Sequence, residues 1–452
     1  MANIFQKRND IDLTEGPILK ALVSFSIPLL FGQLLQQLYN MADAWVVGNF
    51  ASIDAFSGVT VAGNLTWVII GLFNGMSVGG GVVVSRWFGA KDEEMTRKAV
   101  HSNLLFGILA SIGSTVVGLI LVPILLNWME TPASVMPEAL NYLNIYFGGV
   151  STVIMYNTCM SIMRAVGDSV RPLYYLAISS AVNVALDLVF VAGLGWGAGG
   201  ASLATVLAQG LSVLLCLRRM LSGRDAVHIN FREMLKLDTG TMASIFRQGL
   251  PGGIQNTVNS IGNMVVQSCI NLFGTFAISG YGAFHKIEGL AFLPIMSVSM
   301  ALPTFVSQNI GAGKVDRAKK GAWLGIAGAC VLAECMGGVL YLLSKPLISA
   351  FISDPQAIEY GVGHSHTVAF FLFLLAFTHC AAGALRGCGR AVIPMATLLL
   401  SWCGIRILYV TSAIKIWPVF RTISWAYPIT WGISAVILLV CMLRVDWSRT
   451  RI

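Results

Sequence analysis

Two carboxylates stand in stretches otherwise apolar enough to cross a bilayer. Asp43 lies in LFGQLLQQLYNMADAWVVGNF, residues 30–50, and Asp187 in SAVNVALDLVFVAG, residues 180–193. An acid inside a membrane helix costs at least about 2.5 kcal/mol on insertion scales, so such residues usually face the bundle interior and serve a purpose. Gln36, Asn40 and Asp43 recur at i, i+4 and i+7 and share one helical face, with Gln33 a turn earlier and Asn183 one turn before Asp187. At about 1.5 Å per residue, Asp43 lies roughly 28 Å along a span entered near Ser24, and Asp187 roughly 24 Å along one entered after Arg171. Thr205, one turn into the returning span, and Tyr142, just inside the outer end of another, fall at a similar level. Carboxylates, an amide, a hydroxyl and a phenol at one depth can hold a proton or bind a hard cation through oxygen, with Na⁺ possible at Asp43, Asn183, Asp187 and Thr205. The bland alternative is a structural pair neutralised by a base, but the first half offers no obvious intramembrane Lys or Arg.

The elements that must position these groups follow from composition. With 56% hydrophobic and 11% charged residues and a mean hydropathy of +0.74, the chain is an all-α polytopic membrane protein, since lipid leaves backbone polar groups no partner but their own helix. Apolar windows of roughly 20 residues fall at 24–50, 58–84, 100–124, 139–163, 173–193, 201–217, 250–272, 281–306, 321–343, 363–385, 392–414 and 426–443, about twelve spans in all. The net charge of +8 is carried by short segments between spans, which is topology and not a nucleic-acid face. Lys7, Arg8, Lys20, Arg86, Lys91, Arg97, Lys98, Arg164, Arg171, the cluster from Arg218 to Arg247, Lys314 to Lys320, Arg386, Arg390 and Arg444 to Arg451 share one side. Only Lys345, Lys415 and Arg421 mark the other, so both termini are expected in the cytoplasm. The nine cysteines show no CxxC pair and read as packing thiols, and no cleaved signal peptide is evident. The expected organisation is a cytoplasmic segment 1–23, a six-helix bundle 24–217, a cytoplasmic linker 218–249, a second bundle 250–443 and a tail 444–452.

The halves repeat. Ser85-Arg-Trp-Phe-Gly89-Ala90-Lys91 matches Ser307-Gln-Asn-Ile-Gly311-Ala312-Gly313, and Arg164-Ala-Val-Gly167 before Pro172 matches Arg386-Gly-Cys-Gly389 before Pro394, both at an offset of about 222 residues. Pro28 and Pro251 differ by one more. An even number of spans per half makes the repeat parallel, an arrangement that commonly puts the substrate site between halves. No GxxxxGK[ST] phosphate loop is present, so ATP hydrolysis has no evident site. The run GLGWGAGG, residues 193–200, joins two membrane segments and reads as a tight exterior turn. His364 and His366, two apart, face different sides of a helix and suggest no metal.

The second half carries different chemistry: Gln255, Asn256, Asn259, Asn263 and Gln267 on one span, then His285, Lys286, Glu288, Glu334 and Arg406. An interhelical Glu288–Arg406 pair and a role in substrate binding are both open. Candidate substrate-cavity residues are Gln33, Gln36, Asn40, Gln255, Asn259, Lys286, Glu288 and Arg406.

In this order the motifs Pro28/Gln33, Met41-Ala-Asp43, Ser85 to Ala90, Arg164 to Asp168, Asn183 to Asp187, Gly200 to Thr205 and Gln308 to Gly313 resemble the multidrug and toxic compound extrusion (MATE) transporters over nearly the whole chain. The resemblance is closer to the DinF-like bacterial branch, because the seventh span has Gln255 and no acid. It implies two six-helix bundles forming a V around a central cavity, in a multi-pass protein of the bacterial cytoplasmic membrane. It further implies a non-enzymatic antiporter that exports amphipathic or cationic small molecules in exchange for H⁺ or Na⁺, with no other cofactor. The coupling-ion site would map onto Asp43, Asn183, Asp187 and Thr205, with Tyr142 and Asn157 as neighbours. A monomer amid membrane lipid, with no nucleic-acid partner, is expected. The alternative is a flippase for lipid-linked saccharides from the same wider superfamily, a reading that Lys286 and Arg406 keep open.

Overall fold

The computed structural model describes residues 12–222, 227–234 and 238–448. Lys7, Arg8, Arg224, Lys236, Arg449 and Arg451, counted above among the one-sided charges, lie outside the described residues, as do parts of the expected terminal segment, linker and tail.

The described chain is helical throughout and contains no strand. Its helices are α1 (Ile18–Phe50), α2 (Ile53–Gly89), α3 (Glu93–Trp128), α4 (Met136–Gly148), α5 (Val150–Ala165), α6 (Val170–Asp187), α7 (Gly197–Leu221), the short α8 (Phe231–Met234) and α9 (Thr239–Asn271). They continue as α10 (Thr275–Gly311), α11 (Val315–Ser349), α12 (Pro355–Val368), α13 (Leu372–Gly387), α14 (Val392–Leu398), α15 (Arg406–Ile416) and α16 (Phe420–Arg444). A π-helical segment, Leu188–Gly193, prolongs α6, a second, Leu399–Ile405, joins α14 to α15, and a 3₁₀ turn, Ala369–Phe371, joins α12 to α13. Each expected span lies inside one of these helices or abutting helix pairs, except that 250–272 runs one residue past the end of α9, and among the described residues nine are long and apolar enough to cross a membrane. The helices run past the apolar windows because hydropathy marks only the lipid-crossing part, while caps end the helix further out. Asp92 accepts from the Met95 N–H at 3.0 Å at the start of α3, and Asp354 caps α12. The expected linker 218–249 shortens for the same reason: α7 continues to Leu221 and α9 begins at Thr239, where Asp238 accepts from the Gly240 N–H and the Thr241 hydroxyl.

Amphipathicity is inside out. On α3, Ile112, Val116, Ile120 and Ile124 form an exposed stripe at one-turn spacing, while Ser111, Ser114, Gly118 and Val122 are buried. Small and hydroxylated residues allow close helix approach where lipid provides no hydrophobic drive between helices. The Arg-x-x-Gly repeats also gain a structural meaning: Gly167 (φ +90°) and Gly389 (φ +77°) take the left-handed conformation that ends α5 and α13. Of the GLGWGAGG run only residues 194–196 form a turn: Gly193 closes the π segment, and residues 197–200 are already the first turn of α7.

Packing divides the chain into two units at points different from the sequence repeat. Phe31–Gly253 belongs to one unit, and Leu13–Leu30 with Ile254–Ile452 to the other. Thus α1 and α9 each contribute to both units, changing membership within a turn after Pro28 and Pro251. A proline inside a helix removes one backbone hydrogen bond, which marks these as the points where each helix is least constrained.

Within the second unit the segment preceding α1 is clamped by side chains from α10 and α11. Asn309 Nδ2 donates to Leu13 O (3.1 Å), Lys314 Nζ to Thr14 O (2.9 Å), and Arg317 to the carbonyls of Glu15 (2.7 Å) and Gly16 (2.6 Å). These donors, two of them charged, satisfy carbonyls that a non-helical segment otherwise gives to water. Arg317→Ala is therefore expected to leave the fold intact while a glutamate-specific protease cuts after Glu15 on the order of tenfold faster, from the loss of charge-assisted bonds. Unchanged cleavage would show that the clamp contributes nothing to holding the segment.

Candidate functional site

The first unit brings Asp43, Asp187, Asn183, Thr205 and Tyr142 into one cluster. α1 supplies Asp43, α6 supplies Asn183 and Asp187 one turn apart, α7 supplies Thr205, and α4 supplies Tyr142. The carboxyls of Asp43 and Asp187 hydrogen-bond to one another. Asp187 is fully buried and Asn183 is 1% exposed. With its amide oriented to satisfy both ends, Asn183 donates to Asp187 Oδ2 at 3.1 Å and accepts from the Thr205 N–H at 3.2 Å. The Thr205 hydroxyl donates to Ala201 O at 3.1 Å, and Ser202 Oγ donates to Tyr142 O at 2.8 Å, which ties α4 to α7. One oxygen of each acid, Asp43 Oδ1 and Asp187 Oδ1, is buried without a protein partner.

No Lys, Arg or His lies within ion-pair distance of either acid among the described residues. Two carboxylates at hydrogen-bonding distance in an apolar bundle repel, so the arrangement demands a proton shared between them or a cation beside the free oxygens. Among the described residues no three His, Cys, Asp or Glu side chains group as a metal site; the donors at this cluster are two carboxylates with amide and hydroxyl oxygen, a hard-oxygen set.

Asn157 is not gathered in. Half-buried on α5, it donates Nδ2 to Val153 O of its own helix at 2.9 Å. Sequence reading missed two phenols. Tyr39 lies beside the Thr205 side chain, and Tyr146 stacks on Tyr142 with ring centroids 6.1 Å apart. Each sits one turn from a residue already singled out, Asp43 and Tyr142 respectively, and that spacing was the available signal. The π segment beginning just after Asp187 was not legible, although such segments often accompany functional sites.

The second unit corrects one expectation. Glu288 pairs with His285, not Arg406: Glu288 Oε2 is 3.3 Å from His285 Nδ1, one turn away on α10. Arg406 instead donates through Nε (3.1 Å) and Nη2 (2.9 Å) to Thr430 Oγ1 and lies over the rings of Trp402 and Tyr427. Glu334 is structural, accepting from the Phe373 N–H at 3.2 Å where α13 begins. His364 and His366 do face apart, toward Ser424 and Ser344 respectively. Among the substrate-cavity candidates, Gln33, Gln36 and Asn40 lie on the part of α1 in the first unit, the latter two exposed. Gln255, Asn259, Lys286, Glu288 and Arg406 lie in the second; Gln255 and Asn259 each bury a carbonyl oxygen without a partner, and Lys286 is exposed.

A bundle of repeated halves, inside-out helices and a buried polar cluster defines a multi-pass helical membrane protein. The MatE family model matches residues 28–189 and 251–410, two segments that open on Pro28 and Pro251, and the chain belongs to that family. Similar curated proteins include the "Probable multidrug resistance protein YpnP" of Bacillus subtilis, 28% identical over 87% of this chain and 88% of that protein. A protein of Shewanella oneidensis named "FAD transporter" is 23% identical over 89% and 88%. Among solved structures, an outward-facing multidrug resistance MATE family transporter of the MOP superfamily superimposes with a TM-score of 0.90 at 20% identity, covering 97% of this chain and 98% of that one.

Proposed function

We propose that the protein is a secondary antiporter that exports amphipathic or cationic compounds in exchange for H⁺ or Na⁺. The observation that carries this reading is the hydrogen-bonded Asp43–Asp187 pair, Asp187 buried and Asp43 half-buried, with no base nearby and with one oxygen of each acid left without a protein partner. Loading it with a proton or Na⁺ changes the charge at the junction of α1, α6 and α7, and exchange requires that kind of differential affinity between ion and substrate. Relatives named as multidrug resistance proteins support drug-like substrates, and the relative named as an FAD transporter indicates that cargo of this family is not confined to cations.

Efflux of a fluorescent organic cation from vesicles under a Na⁺ gradient and a pH gradient, imposed separately, is expected to respond to one of them and to be indifferent to ATP once the gradient is fixed. Transport revived by ATP alone with ionophores present, or export of a lipid-linked saccharide in place of the dye, would reject the proposal.

The Lys/Arg asymmetry supports an orientation with the α2–α3 and α10–α11 turns inside. In a protein whose native cysteines have been replaced, a cysteine at Lys314 is expected to resist an impermeant thiol reagent applied to intact cells, and one at Ala133 to react. The reverse pattern would invert the topology.

A further inference from the structure

Arg406 is a buried charge that the acid pair does not use. It is 3% exposed, in a helix within the apolar span Val392–Ile416, where an unneutralised guanidinium is expensive. Its two hydrogen bonds converge on a single hydroxyl, Thr430 Oγ1, although a guanidinium has five N–H donors. Its faces are covered, with Tyr427 at 4.7 Å and Trp402 at 5.4 Å from Cζ to ring centroid. The Nη1 edge has no acceptor among the described residues, yet it is not sealed among the buried unpartnered atoms. The acid whose charge acts on Arg406, Glu288, is bonded to His285 and lies beyond ion-pair distance of the guanidinium. Tyr281 Oη lies 2.6 Å from Tyr427 Oη, which brings a second phenol close to the guanidinium.

We infer that the free edge of Arg406, framed by Trp402, Tyr427 and the Tyr281 hydroxyl, is a recognition site for a single carboxylate carried on a planar aromatic body. A guanidinium fork matches the two oxygens of a carboxylate, and aromatic neighbours suit a ligand whose body is itself an aromatic ring. One buried positive charge matches one negative charge; a doubly ionised phosphate would bring an excess the frame cannot neutralise. Every residue of the frame lies in the second unit, and none belongs to the Asp43–Asp187 cluster.

Calorimetry on the full-length protein in nanodiscs, with 2-naphthoate and its neutral isostere 2-naphthamide, tests this directly. The wild type is expected to prefer the carboxylate by roughly tenfold to a hundredfold, the range of a charge-assisted bond. Arg406→Gln should erase the preference and Arg406→Lys, which keeps the charge but not the fork, should reduce it. Lys415→Ala, which removes an exposed cation at the end of α15, should leave it intact. Equal binding of the two probes by the wild type overturns the inference whether or not any variant folds, and so does a preference that survives Arg406→Gln or disappears in Lys415→Ala.

Discussion

Asp43→Asn is expected to abolish ion-driven efflux while the protein remains folded and inserted. Asparagine keeps the shape of aspartate and can still hydrogen-bond Asp187, but it cannot change charge, so loading and release of the coupling ion lose their effect on the cluster. One elementary charge moving through 100 mV is worth about 2.3 kcal/mol, enough for roughly a 50-fold substrate gradient, and that gradient should collapse to the passive level. Asp187→Asn should do the same. Because the two carboxyls share one hydrogen bond, the double variant should be no worse than either single variant, the non-additivity expected of groups that act together. Asn157→Ala is the contrast: its amide is engaged with Val153 O of its own helix, and efflux should stay near the parental rate. Parental efflux in both aspartate variants, each present at normal abundance, would remove the pair from the coupling mechanism.

Gly79→Val should produce the largest structural loss. Within the first unit α2 crosses the opening part of α9 backbone to backbone. A Cβ at Gly79 would stand 2.2 Å from the Gly249 nitrogen, and one at Gly75 would stand 2.1 Å from that of Gly253. Main chain cannot yield as a side-chain tip can, so even a methyl group forces the helices apart along the Gly75-x-x-x-Gly79 face. Overpacking of this kind costs about 1–3 kcal/mol or more, and a branched residue adds to it. Reduced abundance of folded protein and a lowered unfolding temperature are the expected readouts. Gly63→Val, on the same helix with open space around its Cβ position, should change neither, and equal losses in the two variants would deny the crossing its role.

Much of this could be read from residue types and order. Hydropathy found the spans because lipid permits only helices that satisfy their own backbone, and the parallel repeat showed itself in motifs whose glycines, Gly167 and Gly389, end equivalent helices. Depth arithmetic put Asp43, Asp187, Thr205 and Tyr142 at one level, and rise per residue is fixed by helix geometry whatever the neighbours do.

Partners across helices were another matter, since level along a helix says nothing of which neighbour it faces. Glu288 and Arg406 have opposite charge and suggested a pair, yet Glu288 turns to His285 on its own helix, and Arg406 is held by Thr430 between two aromatic rings. Asn157 sits on α5, with its amide committed to its own helix. The phenols of Tyr39 and Tyr146 entered the cluster through rotation about helix axes that no hydropathy window records. Nor does a repeat show that α1 and α9 contribute to both packing units, because that depends on where two proline-containing helices are left free to part from their neighbours. Composition and spacing are properties of one helix at a time and established the membrane fold, the duplication and the buried acids. Which oxygens meet, which charges stay unpaired and where the units divide are properties of helix packing, set by side-chain shape and the cost of burying polar atoms among several helices at once.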